Sequence, residues 1–104
     1  MEDQARQVEA RLSFAEAGGG DEAELLSHLA ARPDDLDARL RLAKLLIANG
    51  RHRDGLEQLL DLVRRDRAWN DEAARKAMLA VFDLLGGEDP LVAEFRRKLA
   101  RALN

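Results

Sequence analysis

The chain has 104 residues, 46% of them hydrophobic and 36% charged, which fits one small domain, and its richness in Ala and Leu favours a helical one. The lack of cysteine excludes disulfide and thiol chemistry within the chain, and the formal net charge of -3 excludes the basic composition of a nucleic-acid binder. The longest apolar run, Ala77–Phe82, has six residues, so we predict no membrane span and expect a cytoplasmic protein.

Six helical segments are predicted in chain order, because apolar residues recur at helical spacing between Gly, Asp, Asn and Pro. The first carries Val8 and Leu12 and ends at three glycines, and the last begins at Pro90, a residue suited to the first turn of a helix. The connections are short, so consecutive helices are expected to be antiparallel neighbours. The approximate bounds are 3–17, 22–32, 35–49, 53–66, 71–85 and 90–103.

The third and fourth segments recur as the fifth and sixth when the chain is shifted by 36 residues. Such a repeat of helix pairs indicates an α-solenoid, a stack of helix hairpins, rather than a closed bundle. The first two segments are interpreted as a degenerate copy of the same pair. The coincidences are Ala38 on Ala74, Arg39 on Arg75, Leu42 on Met78, Leu45 on Val81, Leu46 on Phe82, Gly50 on Gly86, Leu56 on Val92, Leu59 on Phe95 and Val63 on Leu99.

The repeat resembles the tetratricopeptide repeat. With Gly50 as the glycine of the turn, Pro33 falls on the proline that closes the preceding repeat. Arg39 stands where an aromatic residue is usual and Gly55 where alanine is usual, and these are two departures from the pattern. We therefore predict an all-α, tetratricopeptide-like α-solenoid of about three antiparallel helix pairs, forming a single domain over residues 1–104. Core positions in this register are Leu42, Ala43, Leu46, Leu59 and Leu62.

The single tryptophan, Trp69, precedes Asn70, which is a good helix N-cap. In that arrangement Trp69 is predicted to pack on Ala74 as a hydrophobic staple, and a packing role is favoured over a catalytic one. Acids in the first turn and bases one turn later predict two i,i+4 ion pairs. These pairs are Asp71 with Arg75 and Glu72 with Lys76.

The stretch RRDRAWNDEAARKAMLAVFDLLGGEDPLVAEFRRKLARAL, residues 64–103, resembles the C-terminal end of bacterial thioredoxin-like co-chaperones of the YbbN (CnoX, chaperedoxin) type. The stretch ARPDDLDARLRLAKLLIANGRHRDGLEQLLDLVRRD, residues 31–66, resembles the repeat before it. The resemblance implies the tetratricopeptide tail of a longer protein whose thioredoxin domain is not present here. It also implies that the tail holds partly unfolded proteins and passes them to the folding machinery.

No residue pattern predicts catalysis, a metal site or a cofactor. His28 and His52 lie in different helical units without ligand spacing, and the glycines at 18–20 lack the lysine of a phosphate loop. The chain is therefore expected to bind proteins rather than to be an enzyme. Two binding functions stay open: a co-chaperone tail for unfolded clients, or a generic scaffold that docks one specific folded partner or peptide.

A partner-binding groove is predicted because the first helix of each repeat normally lines the concave face of such a solenoid. Leu40 and Ile47 are expected there as exposed apolar residues, with burial in the core as the alternative. The groove residues are Asp37, Leu40, Lys44 and Ile47 from the third segment, and Ala73, Lys76, Ala80 and Asp83 from the fifth.

The last segment is predicted to pack on the fifth, near Phe82 and Leu85, through Val92, Phe95, Leu99 and Ala102. Its outer face then either caps the solenoid or, as the resemblance implies, docks to a chaperonin. Self-association is also expected, because an array cut from its N-terminal neighbours exposes apolar surface. The outer face of the last segment consists of Glu94, Arg97, Lys98 and Arg101. The apolar surface at the N-terminal end consists of Val8, Leu12, Phe14, Leu25, Leu26 and Leu29.

Overall fold

A computed structural model describes residues 22–104, which form five α-helices and no strand. The predicted all-α fold is confirmed for this part of the chain, and the predicted segment 3–17 lies outside it. Each of the other five predicted segments corresponds to one helix, with bounds that agree within two residues. The helices are α1 (Glu22–Ala31), α2 (Leu36–Ala48), α3 (His52–Asp66), α4 (Trp69–Leu85) and α5 (Pro90–Leu103).

Side-chain caps and a glycine define three of the helix ends. Asp35 is the N-cap of α2 and its Oδ1 accepts a hydrogen bond from the Ala38 amide at 3.0 Å. Asp89 caps α5 in the same way, accepting from the Leu91 amide at 2.9 Å, and Pro90 begins that helix as predicted. Gly86 ends α4 with a φ of +91°, a left-handed conformation that glycine adopts without steric cost.

The core consists of two apolar clusters that lie on opposite sides of α2. The larger cluster joins α2 to α3, α4 and α5, and it includes Leu40, Ala43 and Ile47 from α2. The smaller cluster joins α2 to α1 through residues such as Leu29 and Leu42. Helix α2 is therefore apolar on two faces, as expected for an inner helix of a solenoid.

The last helix packs mainly on α3 and only sparsely on α4, so the prediction of α4 as its main neighbour is wrong. The Arg53 guanidinium, at the start of α3, donates two hydrogen bonds to Glu94 at 2.7 and 3.0 Å. At the other end, Arg67 donates to the Leu103 carbonyl at 2.8 Å. Helices α3 and α5 thus run parallel, and their apolar stripes meet. The predicted closeness to Phe82 is kept, since the Arg96 guanidinium lies 5.8 Å from the centre of that ring.

Arg39 takes the place of the usual aromatic residue as a polar link between helices. Its side chain is only 11% exposed. The guanidinium donates to the Pro33 carbonyl at 2.9 Å and to Gln58 at 2.9 Å, and it pairs with Asp61 at 3.1 Å. The residue therefore ties the loop before α2 to the middle of α3, which explains why this position departs from the repeat pattern.

Trp69 packs, half-buried, against the larger cluster, which confirms the packing role. The assignment of Asn70 as an N-cap is wrong, because Asn70, Asp71 and Glu72 have φ values of +51°, +56° and +58°. These three residues make a left-handed turn instead of an extended cap. The turn redirects the acidic side chains, so each acid pairs with the base that was predicted for the other acid. Glu72 pairs with Arg75 at 3.2 Å and Asp71 with Lys76 at 2.7 Å.

This left-handed turn predicts that Asp71→Gly is more stable than Asp71→Ala by about 1 kcal/mol, since a Cβ costs free energy there and glycine avoids that cost. Both variants lose the ion pair to Lys76, so the difference between their free energies of unfolding reports the backbone conformation alone. Urea denaturation of the two proteins measures it. A right-handed helix at residue 71 would reverse the order, with alanine more stable by about 0.5–1 kcal/mol.

Candidate protein-binding surface

The predicted groove residues on α2 do not form an apolar surface. Leu40 and Ile47 are only 8% and 6% exposed, so the expectation that they are exposed is wrong and their alternative assignment to the core holds. The reason is that α2 is packed on two sides. Asp37 is exposed and pairs with Arg41 at 3.0 Å, and Lys44 is half-buried.

The predicted groove residues on α4 are more accessible. Ala73 is half-buried, whereas Lys76, Ala80 and Asp83 are exposed on neighbouring turns of one helix face. Two leucines accompany them, with Leu79 40% exposed and Leu84 67% exposed. We call this set the α4 surface: Lys76, Leu79, Ala80, Asp83 and Leu84.

Leu79 and Leu84 were not predicted as surface residues, although the 36-residue register indicates that these two positions differ from their equivalents. In that register Leu79 falls on Ala43 and Leu84 on Ala48, so a large apolar side chain replaces a small one twice. Contiguous apolar patches rimmed by polar residues mark protein-binding sites, and Leu79 and Leu84 give α4 two exposed apolar side chains beside Lys76 and Asp83.

The two charged residues of the α4 surface have different surroundings. The Lys76 ammonium donates to Asp71 at 2.7 Å, and this hydrogen bond holds the pKa of the Asp71 carboxyl below its usual value. Asp83 has no ion pair within residues 22–104. The surface therefore offers a binding partner an apolar patch beside one carboxylate that is available for a new ion pair.

The predicted outer face of α5 is divided by the structure. Glu94 accepts hydrogen bonds from Arg53 and, at 2.9 Å, from Lys98. The Lys98 ammonium also lies 4.7 Å from the centre of the Phe95 ring. Glu94 thus faces α3, and its placement on an outer face is wrong, whereas Lys98 lies half-buried beside it. Arg97 and Arg101 are exposed, without an ion pair in the described part of the chain.

Hydrogen bonds from Arg53 and Lys98 lower the pKa of Glu94 from 4.5 to about 2. A carboxyl whose pKa is depressed by folding stabilises the protein above the unfolded pKa, and this stabilisation disappears as the pH falls through the folded pKa. We expect the stability difference between wild type and Glu94→Gln to shrink as the pH falls from 4.5 to about 2. Urea denaturation across this range measures it, with Glu88→Gln, at an exposed carboxylate, as a control for charge removal. An unchanged difference would contradict a stabilising role for the hydrogen bonds that Glu94 accepts from Arg53 and Lys98.

Other polar features of the structure support packing. His28 Nε2 and Asp35 Oδ2 lie 2.6 Å apart. This hydrogen bond is the main cause that lowers the pKa of Asp35, and the hydrogen bond from the Ala38 amide is the second.

Within residues 22–104, no three His, Asp or Glu side chains are grouped so that they could hold a metal ion. In the same part of the chain, no helix combines the length and apolar character needed to cross a membrane. A cavity of about 230 Å³ lies between α1, α2 and α3, beside the 48% exposed Leu26.

Stacked helix hairpins related by a 36-residue shift define a helical-repeat protein. Residues 15–104 match the family model of the tetratricopeptide repeat, and the chain belongs to that family. Domains of this family generally mediate protein–protein interactions and are typically not enzymes. No curated protein and no solved structure matches the chain.

Proposed function

We propose that this chain is a binding module for partly unfolded proteins and forms the C-terminal tail of a longer, cytoplasmic thioredoxin-like co-chaperone. The observation that carries the proposal is the pair of exposed leucines, Leu79 and Leu84, on a helix of a protein-binding repeat. Apolar side chains beside charged ones bind varied apolar segments without requiring a fixed sequence. The resemblance of residues 64–103 to co-chaperone tails supports the same function.

The second element of the proposal is docking of α5 to a chaperonin. Arg97 and Arg101 are one turn apart and exposed, which suits an acidic partner surface and makes binding sensitive to salt. Charge reversal of both arginines tests this element, because exposed sites seldom change stability by more than about 0.5 kcal/mol. If the folded variant binds chaperonin with an unchanged salt dependence, the two arginines only cap the solenoid.

Suppression of aggregation tests the holding function. The chain at near-stoichiometric ratio is expected to reduce light scattering from several unrelated denatured proteins, and Leu79→Ser combined with Leu84→Ser is expected to weaken that effect. Leu26→Ser is the matched control, because Leu26 is 48% exposed but lies on α1, away from the α4 surface. Equal activity of all three proteins would assign holding to a different surface.

The second candidate function is a scaffold that docks one specific folded partner or peptide. Burial of Leu40 and Ile47 favours it, because the exposed leucines of α2 and α4 are then limited to Leu79 and Leu84, a small patch that one partner can cover. A scaffold binds its partner but leaves the aggregation of unrelated proteins unchanged.

Self-association through the N-terminal end stays a prediction. Val8, Leu12 and Phe14 lie outside the described residues. Within them, Leu29 is buried, and Leu26 keeps 48% of its surface exposed.

A further inference from the structure

The two described hairpins differ in how well their first helix is covered. In α2, Leu40, Ala43 and Ile47 are 8%, 0% and 6% exposed. The 36-residue shift places these three positions on Lys76, Leu79 and Asp83 of α4. All three are exposed, and Leu79 retains 40% of its surface. The helix face that is buried in the α2–α3 hairpin is therefore uncovered in the α4–α5 hairpin.

The cause lies in the second helix of each hairpin. Helix α3 packs closely on α2, and a Cβ added at Gly55 would lie 3.0 Å from the Ala43 carbonyl oxygen. The same register places Leu91 at the position of Gly55, so α5 lacks the glycine that permits such an approach. Helix α5 instead packs mainly on α3 and leaves α4 partly uncovered.

We propose that an amphipathic helix of a partner protein binds the α4 surface and covers it much as α3 covers α2. This inference rests on the proposed function as a protein-binding module and names the form of its partner. The partner helix contacts Leu79, Ala80 and Leu84 with an apolar stripe, and it places a lysine or arginine against Asp83. Asp83 selects a basic partner because Lys76 is already neutralised by Asp71, at 2.7 Å.

Repeat geometry supports a helix over an extended segment as the occupant. The covered face of α2 shows that helix packing buries the equivalents of Lys76, Leu79 and Asp83 within this fold. Lys76 and Leu84 are separated by about 12 Å along α4, at 1.5 Å per residue, so a partner of about three turns covers the surface. A helix also satisfies its own backbone hydrogen bonds, which α4 cannot supply because its main chain is already paired.

The test uses three labelled peptides of about 18 residues, long enough to form a helix when bound. The first has leucines at helical spacing flanked by lysines, the second has glutamates in place of the lysines, and the third is the lysine peptide with a central proline. We expect the lysine peptide to bind the chain about fivefold more tightly than the glutamate peptide. The charge reversal Asp83→Lys is expected to invert that preference.

Two further variants locate the binding site. Leu79→Ser with Leu84→Ser is expected to weaken binding of the lysine peptide at least about tenfold, whereas Leu26→Ser leaves it unchanged. Thermal melting confirms that each variant is folded. Absence of binding, or equal binding by the leucine variant, overturns the proposal.

The third peptide separates this inference from the proposed function. If the proline peptide binds as tightly as its helical counterpart, the surface accepts extended chain, and the helix proposal fails while the holding function stands. If the helical peptide binds with the expected preferences but aggregation of denatured proteins is unaffected, the holding function fails and the helix site stands.

Discussion

Replacement of Phe95 by alanine is expected to lower the free energy of unfolding by about 3–5 kcal/mol. The Phe95 side chain is fully buried in the larger cluster, and alanine would leave a cavity between α3 and α5. The change also removes the ring over which the Arg53 guanidinium carbon and the Lys98 ammonium lie, at 5.9 and 4.7 Å. Small domains are stable by only about 5–15 kcal/mol, so much of the stability would be lost.

Urea denaturation followed by helical circular dichroism measures this change. The control is Leu84→Ala, which removes a 67% exposed side chain and is expected to alter stability by less than about 0.5 kcal/mol. A loss below about 1 kcal/mol for Phe95→Ala would mean that α5 does not dock on α3 through this ring.

Helix positions were predictable because each depends on neighbouring residues. Pro90 begins α5 as predicted, and Asp35 and Asp89 cap their helices by accepting hydrogen bonds from amides two or three residues further along the chain. The left-handed turn at residues 70–72 was not predictable. Its sequence, a good N-cap residue followed by two acids, is that of an ordinary helix start. No local feature of the sequence therefore indicates the left-handed backbone that is observed.

The candidate site was less predictable, because exposure depends on how many neighbours a helix has. Apolar spacing identified Leu40 and Ile47 but could not separate a groove from a second buried face. The assignment of Glu94 to an outer face failed because it assumed that α5 packs on α4. Only the observed packing on α3 brings Arg53 within hydrogen-bonding distance, at 2.7 Å.

Gly55→Ala is expected to destabilise the protein by about 1–2 kcal/mol, although alanine is the better helix former by about 0.5–1 kcal/mol. The added Cβ would lie 2.5 Å from Ile47 Cγ1 and 3.0 Å from the Ala43 carbonyl oxygen. The Ile47 side chain can shift, but the Ala43 backbone moves only if α2 and α3 separate. Such separation would open the most closely packed helix pair within residues 22–104.

Denaturation of Gly55→Ala, Ile47→Ala and the double variant tests this close packing. Ile47→Ala removes the nearer of the two clashing groups, so we expect it to cost about 1 kcal/mol less in the Gly55→Ala background than in wild type. Gly87→Ala is the control, since a Cβ there meets no atom within 4 Å and should change stability by less than about 0.5 kcal/mol. If Gly55→Ala stabilises the protein, α2 and α3 have room for a methyl group. Glycine at this position would then not explain why the α2–α3 hairpin is closed while α4 stays uncovered.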